Sequence, residues 1–410
     1  MGLEENFLNF KNKNAFENFL AQGLPTRKDE AWKFTSLNEF KSRVWNSLDG
    51  TETHLSHEQM QELSRKLPSE FINFVFVNGV LNQTLSDDSE SLLSISEIST
   101  EETFASGHIE QRLLNLARAF LNKKVRITIG KSRTIEKPVQ ILFVQSSKNS
   151  VYSSEMFEIV LEQNSDLKLL VNTVSFINAC ADASNLQLKI NVEKDARLTL
   201  VQLQNEDMQS YHFSQVEISA ATSSNITTFA MTLGNKLTRN YLSLKFAGEN
   251  AEARVYGLGV IDGDQHLDNY TFIQHEIGHN QSVQHYKSIL SGSAHSVFRG
   301  RVWIAPNAQK ANSEQLNNNL LLTRTAQVET IPQLEIFADD VKAGHGATVG
   351  QLNKDEIFYF LSRGINQFEA VKMLSYGFAK ELIYKIENVE MQKYLLAELN
   401  LKLEKMVPNA

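Results

Sequence analysis

Between about residues 125 and 350, short runs of alternating apolar and polar residues follow one another, separated by clusters of Asn, Asp, Ser and Gly. Alternation with a period of two predicts half-buried β-strands, and the polar clusters predict turns. The turns recur at near-equal intervals, since Asp166, Asp195 and Asn225 lie 29 and 30 residues apart. A repeat of about 28 residues predicts a β-solenoid, in which each coil stacks on the last. An antiparallel sandwich also contains many short strands, but it does not require equal spacing.

Helical patterns flank this region on both sides. Residues 1–125 combine amphipathic helical segments with one strand-like run, and residues 352–410 predict three helices with a break at Gly364. The sequence therefore predicts a mostly helical N-terminal region (1–125), a β-solenoid core (126–351) and a C-terminal helical region (352–410). The last region could cap the end of the solenoid, as such arrays require, and it could offer a docking surface to a partner; the two interpretations are compatible.

Composition narrows the classes of function. The 410 residues carry a net charge of -8, and 42% of them are hydrophobic, which predicts a packed core and argues against nucleic-acid binding. The N-terminal stretch has the pattern of neither a secretion signal nor a membrane span, so we expect a cytoplasmic protein that does not contact membranes. The single cysteine, Cys180, excludes an internal disulfide and a cysteine-built zinc site, and we assign it no role.

The segment HEIGHNQSVQH has the histidine spacing of a zinc metallopeptidase. In such an enzyme His275, His279 and His285 would bind the metal, and Glu276 would be the general base. The flanking residues predict strands rather than the helix that the motif requires, and in a strand the Cα atoms of His275 and His279 would lie about 13 Å apart. Ser282 also stands where the motif has a glycine. A zinc-dependent hydrolase is thus the alternative function, and strand histidines that face a partner are the simpler interpretation.

Two phosphate-binding patterns are incomplete. The tripeptide GKS at 130–132 matches the end of a P-loop, but Val125 stands where the first glycine is required. The segment GLGVID, which begins at Gly257, has Asp262 in place of the third glycine of a dinucleotide fingerprint, and no helical pattern follows it. We therefore expect no nucleotide site on this chain.

The segment LEIFADDVKAGHGATVG places a histidine between two glycines near the end of the predicted solenoid. Gly344 and Gly346 permit tight turning and close backbone approach, and Asp339 and Asp340 precede His345 by a few residues. An imidazole at a solenoid edge can be a metal ligand, although a turn histidine that only forms a hydrogen bond would explain the same residues. His345 is the candidate metal-ligating residue.

Three segments resemble the SufB/SufD family of iron–sulfur cluster assembly proteins. ADDVKAGHGATVGQLNKDEIFYFLSRGI is similar to the signature at the end of the family's core. GLPTRKDEAWKFTSL is similar to its N-terminal P-T-x-x-x-E-x-W-[KR]-[FY]-T stretch, and FRGRVWIAPNAQKANSEQLNNNLLL to its central pattern. The resemblance spans nearly the whole chain. It is closest to the SufD branch, because SufB proteins are usually longer and carry several cysteines.

The resemblance implies a mainly β protein with a parallel, right-handed β-helix core flanked by helical regions. It implies a non-enzymatic scaffold subunit that contacts SufB through the β-helix and the ATPase SufC through residues 352–410. His345 matches a family histidine implicated in building the nascent cluster at the SufB contact. A transient iron–sulfur cluster shared with SufB, and a reduced flavin, are implied for the complex, and neither is expected on the isolated chain. Self-association of the isolated chain, and a β-solenoid binding protein with no metal role, are the alternatives left open.

Overall fold

The computed structural model describes residues 3–47, 55–88, 94–98, 110–121, 124–146, 150–176 and 182–406. These residues form a mainly β protein around a parallel β-solenoid of about 7 turns, with flanking helices. The predicted solenoid is therefore confirmed, and the antiparallel sandwich is excluded because successive rungs pair in parallel. Cys180 lies outside the described residues.

The elements follow one another with helices mainly at the two ends of the chain. The strands are β1 (Phe7–Leu8), β2 (Trp45–Ser47), β3 (Ile72–Val77), β4 (Val80–Leu81), β5 (Ser94–Ile98), β6 (Lys124–Ile129), β7 (Val139–Gln145), β8 (Val151–Leu161), β9 (Asp166–Ser175), β10 (Asp182–Val192), β11 (Arg197–Asn205), β12 (Tyr211–Ala220), β13 (Asn225–Thr232), β14 (Leu237–Phe246), β15 (Glu252–Ile261), β16 (His266–His275), β17 (Gln281–Leu290), β18 (His295–Ile304), β19 (Asn312–Leu321), β20 (Gln327–Ile336) and β21 (Lys342–Gly350). The α-helices are α1 (Lys13–Gln22), α2 (Asn38–Ser42), α3 (His57–Ser64), α4 (Gln111–Phe120), α5 (Lys354–Ser362), α6 (Gln367–Ile383) and α7 (Val389–Met406). Two short 3-10 helices occupy Leu3–Asn6 and Glu30–Trp32.

Each rung of the solenoid contributes one strand to each of two sheets. The even-numbered strands from β8 to β20 form one wall, sheet A, and the odd-numbered strands from β7 to β21 form the other, sheet B. The space between their inner faces is the lumen. Tyr211 pairs with Leu237, 26 residues later, whereas His295 pairs with Gln327, 32 residues later. The rung length therefore varies around the predicted repeat of about 28 residues.

A residue in the left-handed conformation marks the same corner of six successive rungs. It lies two residues before each sheet B strand from β9 to β19. In order, these residues are Asn164, Asp195, Ser223, Asn250, His279 and Lys310, with φ between 57° and 62°. Among non-glycine residues, Asn and Asp adopt this conformation most readily. The regular polar turns of the sequence are the corners of the rungs.

The lumen is lined by apolar columns and by polar columns. One column of sheet A consists of stacked branched side chains: Ile159, Ile190, Ile218, Leu244, Ile273 and Val302. Elsewhere buried amides and hydroxyls bond to one another, both along a sheet, as when Thr232 Oγ1 donates to Gln204 Oε1 (2.7 Å), and across the lumen, as when Gln204 Nε2 donates to Asn240 Oδ1 (3.2 Å). Such pairing is needed because a buried polar group without a partner is destabilising. The polar columns extend to the last rung.

The N-terminal region covers the outer face of sheet A. Trp32 is buried, and the guanidinium carbon of Arg239 lies 4.1 Å from the centre of its ring. Arg239 also pairs with Asp268, whose carboxylate accepts a hydrogen bond from Thr35. The PTRKDEAWKFT segment therefore has a structural role, because its side chains bind the N-terminal region to the solenoid. The same region combines helices with short strands, and its strand β3 joins sheet B.

The C-terminal helices α6 and α7 pack on the outer face of sheet B. Leu382 of α6 and Leu399 of α7 share one apolar cluster with Phe229 and Leu258 of the sheet. The Lys402 ammonium donates to Asp262 at 2.6 Å, and burial lowers the pKa of Lys402. These two helices lie along the side of the array. The interpretation of the C-terminal region as a cap over the last rung is therefore wrong for α6 and α7, because their apolar faces meet the side of the solenoid.

Candidate functional site

Both sheets end at one open rung. β20 is the last strand of sheet A, β21 is the last strand of sheet B, and most residues of β21 are exposed. Within the described part of the chain, no strand pairs with the outer edge of either. An uncovered strand edge presents unpaired N–H and C=O groups and is a template for pairing with another chain. The last rung is therefore the first place to look for a functional surface.

The unpaired backbone groups of β21 belong to alternate residues. The Lys342 N–H donates to the Ala311 carbonyl at 2.9 Å, so Lys342 faces β19. Consecutive residues of a strand direct their N–H groups to opposite sides. The N–H groups of Ala343, His345 and Ala347 therefore point to the open edge.

The side chain of His345 faces the lumen at its open end. Ala343, on the same face of β21, packs against the interior apolar cluster, and side chains alternate between faces with a period of two. His345 pairs in register with Gln315, whose side chain also faces the lumen. His345 is nevertheless exposed, because no further rung covers it. The structure places His345 at a solenoid edge, and its role as a metal ligand stays a prediction.

Gln315 lies in the rung beneath His345 and is only 1% exposed. Neither its Oε1 nor its Nε2 has a hydrogen-bond partner among the described residues. The amide reaches across the lumen to Gly300 of β18, where an added Cβ would lie 1.9 Å from Nε2. Sequence reasoning missed this residue, because the polar residues of NSEQLNNNLL occupy both faces of the strand and hide the alternation that marks interior positions.

The acidic residues that precede His345 in the sequence lie in a separate turn. Asp339 and Asp340 lie exposed in the turn between β20 and β21, and Asp340 pairs with Lys310. Across the described residues there is no group of three or more His, Cys, Asp or Glu side chains that could hold a metal ion. A metal site that joins His345 to two or more such side chains would therefore need ligands from outside the described residues.

The three histidines of HEIGHNQSVQH lie in three different environments. His275 is buried in the lumen, where its Nε2 lies 2.9 Å from Ser282 Oγ and its ring centre 4.6 Å from that of Phe246. His279 is exposed at the left-handed corner of its rung. His285 faces outward beneath α6, and its Nε2 lies 2.7 Å from Asn318 Oδ1. Because these imidazoles do not converge, the zinc-hydrolase alternative is wrong.

The buried imidazole of His275 predicts a specific loss of stability in acid. Burial lowers its pKa from 6.5 to about 4, so the native state holds it neutral while the unfolded chain takes up a proton below about pH 6.5. The free energy of unfolding is therefore expected to fall as the pH drops from about 6.5 to about 4. His275→Gln should reduce this loss by roughly 3 kcal/mol, the equivalent of about 2.5 pKa units. Urea unfolding at a series of pH values measures the difference, and equal pH slopes in the two proteins would refute the assignment.

The two incomplete phosphate patterns form other structures. Gly130 to Ser132 make the turn between β6 and β7, with Ser132 in the left-handed conformation. Gly257 lies in the middle of β15, and a Cβ there would come within 2.1 Å of the Tyr286 ring. Neither segment leads into a helix N-terminus, which is the feature that binds phosphate in both motifs.

A second exposed surface lies on α5, directly after the open rung. None of its residues is buried, and the exposed fractions of Phe358, Tyr359 and Leu361 are 68%, 55% and 42%. Neighbouring α6 is anchored, since Lys287 of sheet B donates to Glu381 at 2.7 Å and lowers the pKa of that carboxyl. An apolar cluster of this kind on a monomer's surface marks an interaction site more often than chance exposure does.

No helix of the described residues is long and apolar enough to span a bilayer. The fold and the site together define a parallel β-solenoid protein with an open last rung, a lumen-facing histidine at that rung and an exposed apolar helix next to it.

The chain matches known proteins over most of its length. The family model described as SUF system FeS cluster assembly, SufBD core domain, matches residues 143–378. The chain is 30% identical to the iron–sulfur cluster assembly protein SufD of Escherichia coli over 393 aligned residues. The alignment covers 94% of this chain and 91% of that protein. It is 26% identical over 413 residues to an iron–sulfur cluster assembly SufBD family protein of Synechocystis sp., covering 95% and 90% of the two chains. The chain belongs to the SufB/SufD family of iron–sulfur cluster assembly proteins and is most like SufD.

Proposed function

We propose that this chain is a non-enzymatic, SufD-like scaffold subunit of a SufBCD complex that builds iron–sulfur clusters. The observation that carries the proposal is the open last rung, which combines an unpaired strand edge with a lumen-facing histidine, His345, in a chain of this family. The complex would contain one SufB, one copy of this chain and two copies of the ATPase SufC. This arrangement follows from the resemblance to the family.

SufB would dock on the open rung, β-helix to β-helix. Strand addition to an exposed edge uses main-chain hydrogen bonds for affinity and side chains for specificity. The rung also exposes apolar side chains, with Ile336 40%, Phe337 59% and Val349 50% exposed, which a partner would cover. The same edge would let two copies of this chain associate when SufB is absent.

The nascent cluster is the cargo of this contact. His345 would supply one ligand, and SufB would supply the others. The described residues contain no group of three or more His, Cys, Asp or Glu side chains that could hold a metal ion by themselves. The contact would close the open end of the lumen of this chain and that of SufB, which would keep the cluster away from water. A reduced flavin stays an expectation for the complex and is assigned to no residue of this chain.

SufC would dock on α5. A movement of α5 driven by ATP hydrolysis in SufC would reach the open rung through the short segment that joins β21 to α5. Three residues, 351–353, separate the end of β21 from the start of α5. Helices α6 and α7 are held to sheet B by part-buried contacts, such as the hydrogen bond that Asn205 Nδ2 of β11 donates to Glu398 Oε2 of α7 at 3.0 Å. Of the three C-terminal helices, α5 is therefore the one that can shift without breaking the core, and its movement would pull on the strand that carries His345.

A proline on the open edge tests the SufB contact. Ala347→Pro removes one N–H that points to the edge and leaves the bonds to β19 in place, so we expect the purified chain to stay folded and to lose its pairing with SufB. Ala347→Ser retains the N–H and is the matched control. Size-exclusion chromatography with light scattering measures the heterodimer. If Ala347→Pro binds SufB as the serine variant does, the edge is not the contact.

A further inference from the structure

The buried amide of Gln315 lacks the partner that its neighbours have. Asn317 and Asn319 lie on the same face of β19, and Asn319 Nδ2 donates to Asn317 Oδ1 at 2.7 Å. Asn317 Nδ2 in turn donates to the Tyr286 carbonyl at 3.3 Å. Gln315 is as deeply buried, yet neither of its polar atoms is bonded to a described residue. Buried amides are nearly always hydrogen-bonded, so this one calls for a partner.

Three neighbours of Gln315 are candidates for that partner. Across the lumen its Nε2 lies against Gly300 of the opposite sheet, which offers no side chain. Below it, Gln284 pairs in register with Gln315; the Oε1 of Gln284 accepts a hydrogen bond from Thr271 at 2.6 Å, and its Nε2 also has no partner among the described residues. Above it, at the strand spacing of about 4.8 Å, comes His345. The three side chains form one column that ends at the open rung.

We propose that Gln315 is the positioning residue of His345. Its Oε1 accepts a hydrogen bond from one ring nitrogen of His345. A half-turn of the terminal amide exchanges oxygen and nitrogen, so the partners decide which atom faces the histidine. Metal-binding histidines usually donate their second N–H to such an acceptor, which fixes the tautomer and aims the free lone pair at the metal.

The inference rests on the proposed function of His345, and it adds the residue that orients it. With its N–H held by Gln315, the other ring nitrogen presents its lone pair out of the lumen, toward the chain that docks on the open rung. Gly300 contributes to this arrangement, because any side chain at that position would displace the amide of Gln315.

A titration of the full chain tests whether the two side chains meet. The His345 ring signals in NMR spectra are assigned by their loss in His345→Ala, and the pKa of His345 is measured in the native protein, in Gln315→Glu and in Gln315→Leu. A carboxylate in contact with an imidazole stabilises its protonated form, so Gln315→Glu should raise the pKa by about one unit or more. Gln315→Leu should give no such rise. An unchanged pKa in Gln315→Glu would overturn the proposal.

The reconstituted complex with SufB and SufC separates this inference from the proposed function. Cluster yield, measured as bound iron and sulfide, should fall by roughly 10- to 100-fold in Gln315→Leu, which is the usual cost of losing a residue that hydrogen-bonds to a metal ligand. Gln202→Leu, a lumen glutamine of strand β11 whose Nε2 bonds to Ser214, is the matched control and should retain the yield. If His345→Ala lowers the yield and Gln315→Leu does not, only the positioning role is refuted. If His345→Ala also leaves the yield unchanged, the proposed function of the histidine fails as well.

Discussion

Replacing His345 with alanine should abolish most of the cluster formation by the reconstituted complex and leave the chain folded. The loss should be at least roughly ten-fold, because removing only a residue that supports a metal ligand typically costs 10–100-fold in metal affinity. The side chain is exposed, so the free energy of unfolding should change by no more than about 0.5 kcal/mol. Bound iron and sulfide after reconstitution, together with urea unfolding of the isolated variant, measure the two effects.

The matched control is His279→Ala, which removes an exposed histidine of the same solenoid at a corner that the open rung does not include. It should assemble clusters at the level of the native chain. Equal yields from His345→Ala and His279→Ala would remove His345 from the account.

Placing two charges on α5 should abolish the capture of SufC. In Phe358→Asp/Leu361→Asp, the carboxylates replace apolar side chains that are 68% and 42% exposed and that a docked partner would cover. One hot-spot residue at the centre of an interface costs about 2 kcal/mol or more when truncated, and a carboxylate buried there without a partner adds to the loss, so the double variant should bind at least roughly 100-fold more weakly. Calorimetry with purified SufC measures the affinity.

Met60→Asp on α3 is the control for this variant, because it also places a charge on an exposed apolar position of a helix. It should bind SufC normally. If the α5 double variant binds SufC as tightly as Met60→Asp does, SufC docks on another part of the chain.

The solenoid was predictable because its corners impose a chemical requirement on the sequence. Six successive rungs have one residue in the left-handed conformation at the same place, and Asn164, Asp195 and Asn250 occupy it with side chains that tolerate this conformation. The repeat is therefore visible as spaced polar turns. The false peptidase motif has the same origin, since His279 occupies this corner in its own rung.

The lumen column beneath His345 was not predictable, because the sequence rule for strands assumes an apolar interior. At Gln284 and Gln315 the interior positions are polar, so alternation does not distinguish them from outward-facing residues. Their positions follow only from the register between rungs. The placement of α6 and α7 was missed for a related reason, since an apolar stripe such as that around Leu382 shows that a helix is buried but not which surface it covers.

The central claim is that this chain is the second solenoid of a cluster-building complex. The most direct measurement is the amount of iron and sulfide bound, after reconstitution under reducing, oxygen-free conditions, by SufB with SufC alone and by the same proteins with this chain added. We predict that a stable cluster, one that persists through gel filtration, forms only when this chain is present, and that it elutes with the three-protein complex. The same quantity of cluster on SufB and SufC without this chain would contradict the account.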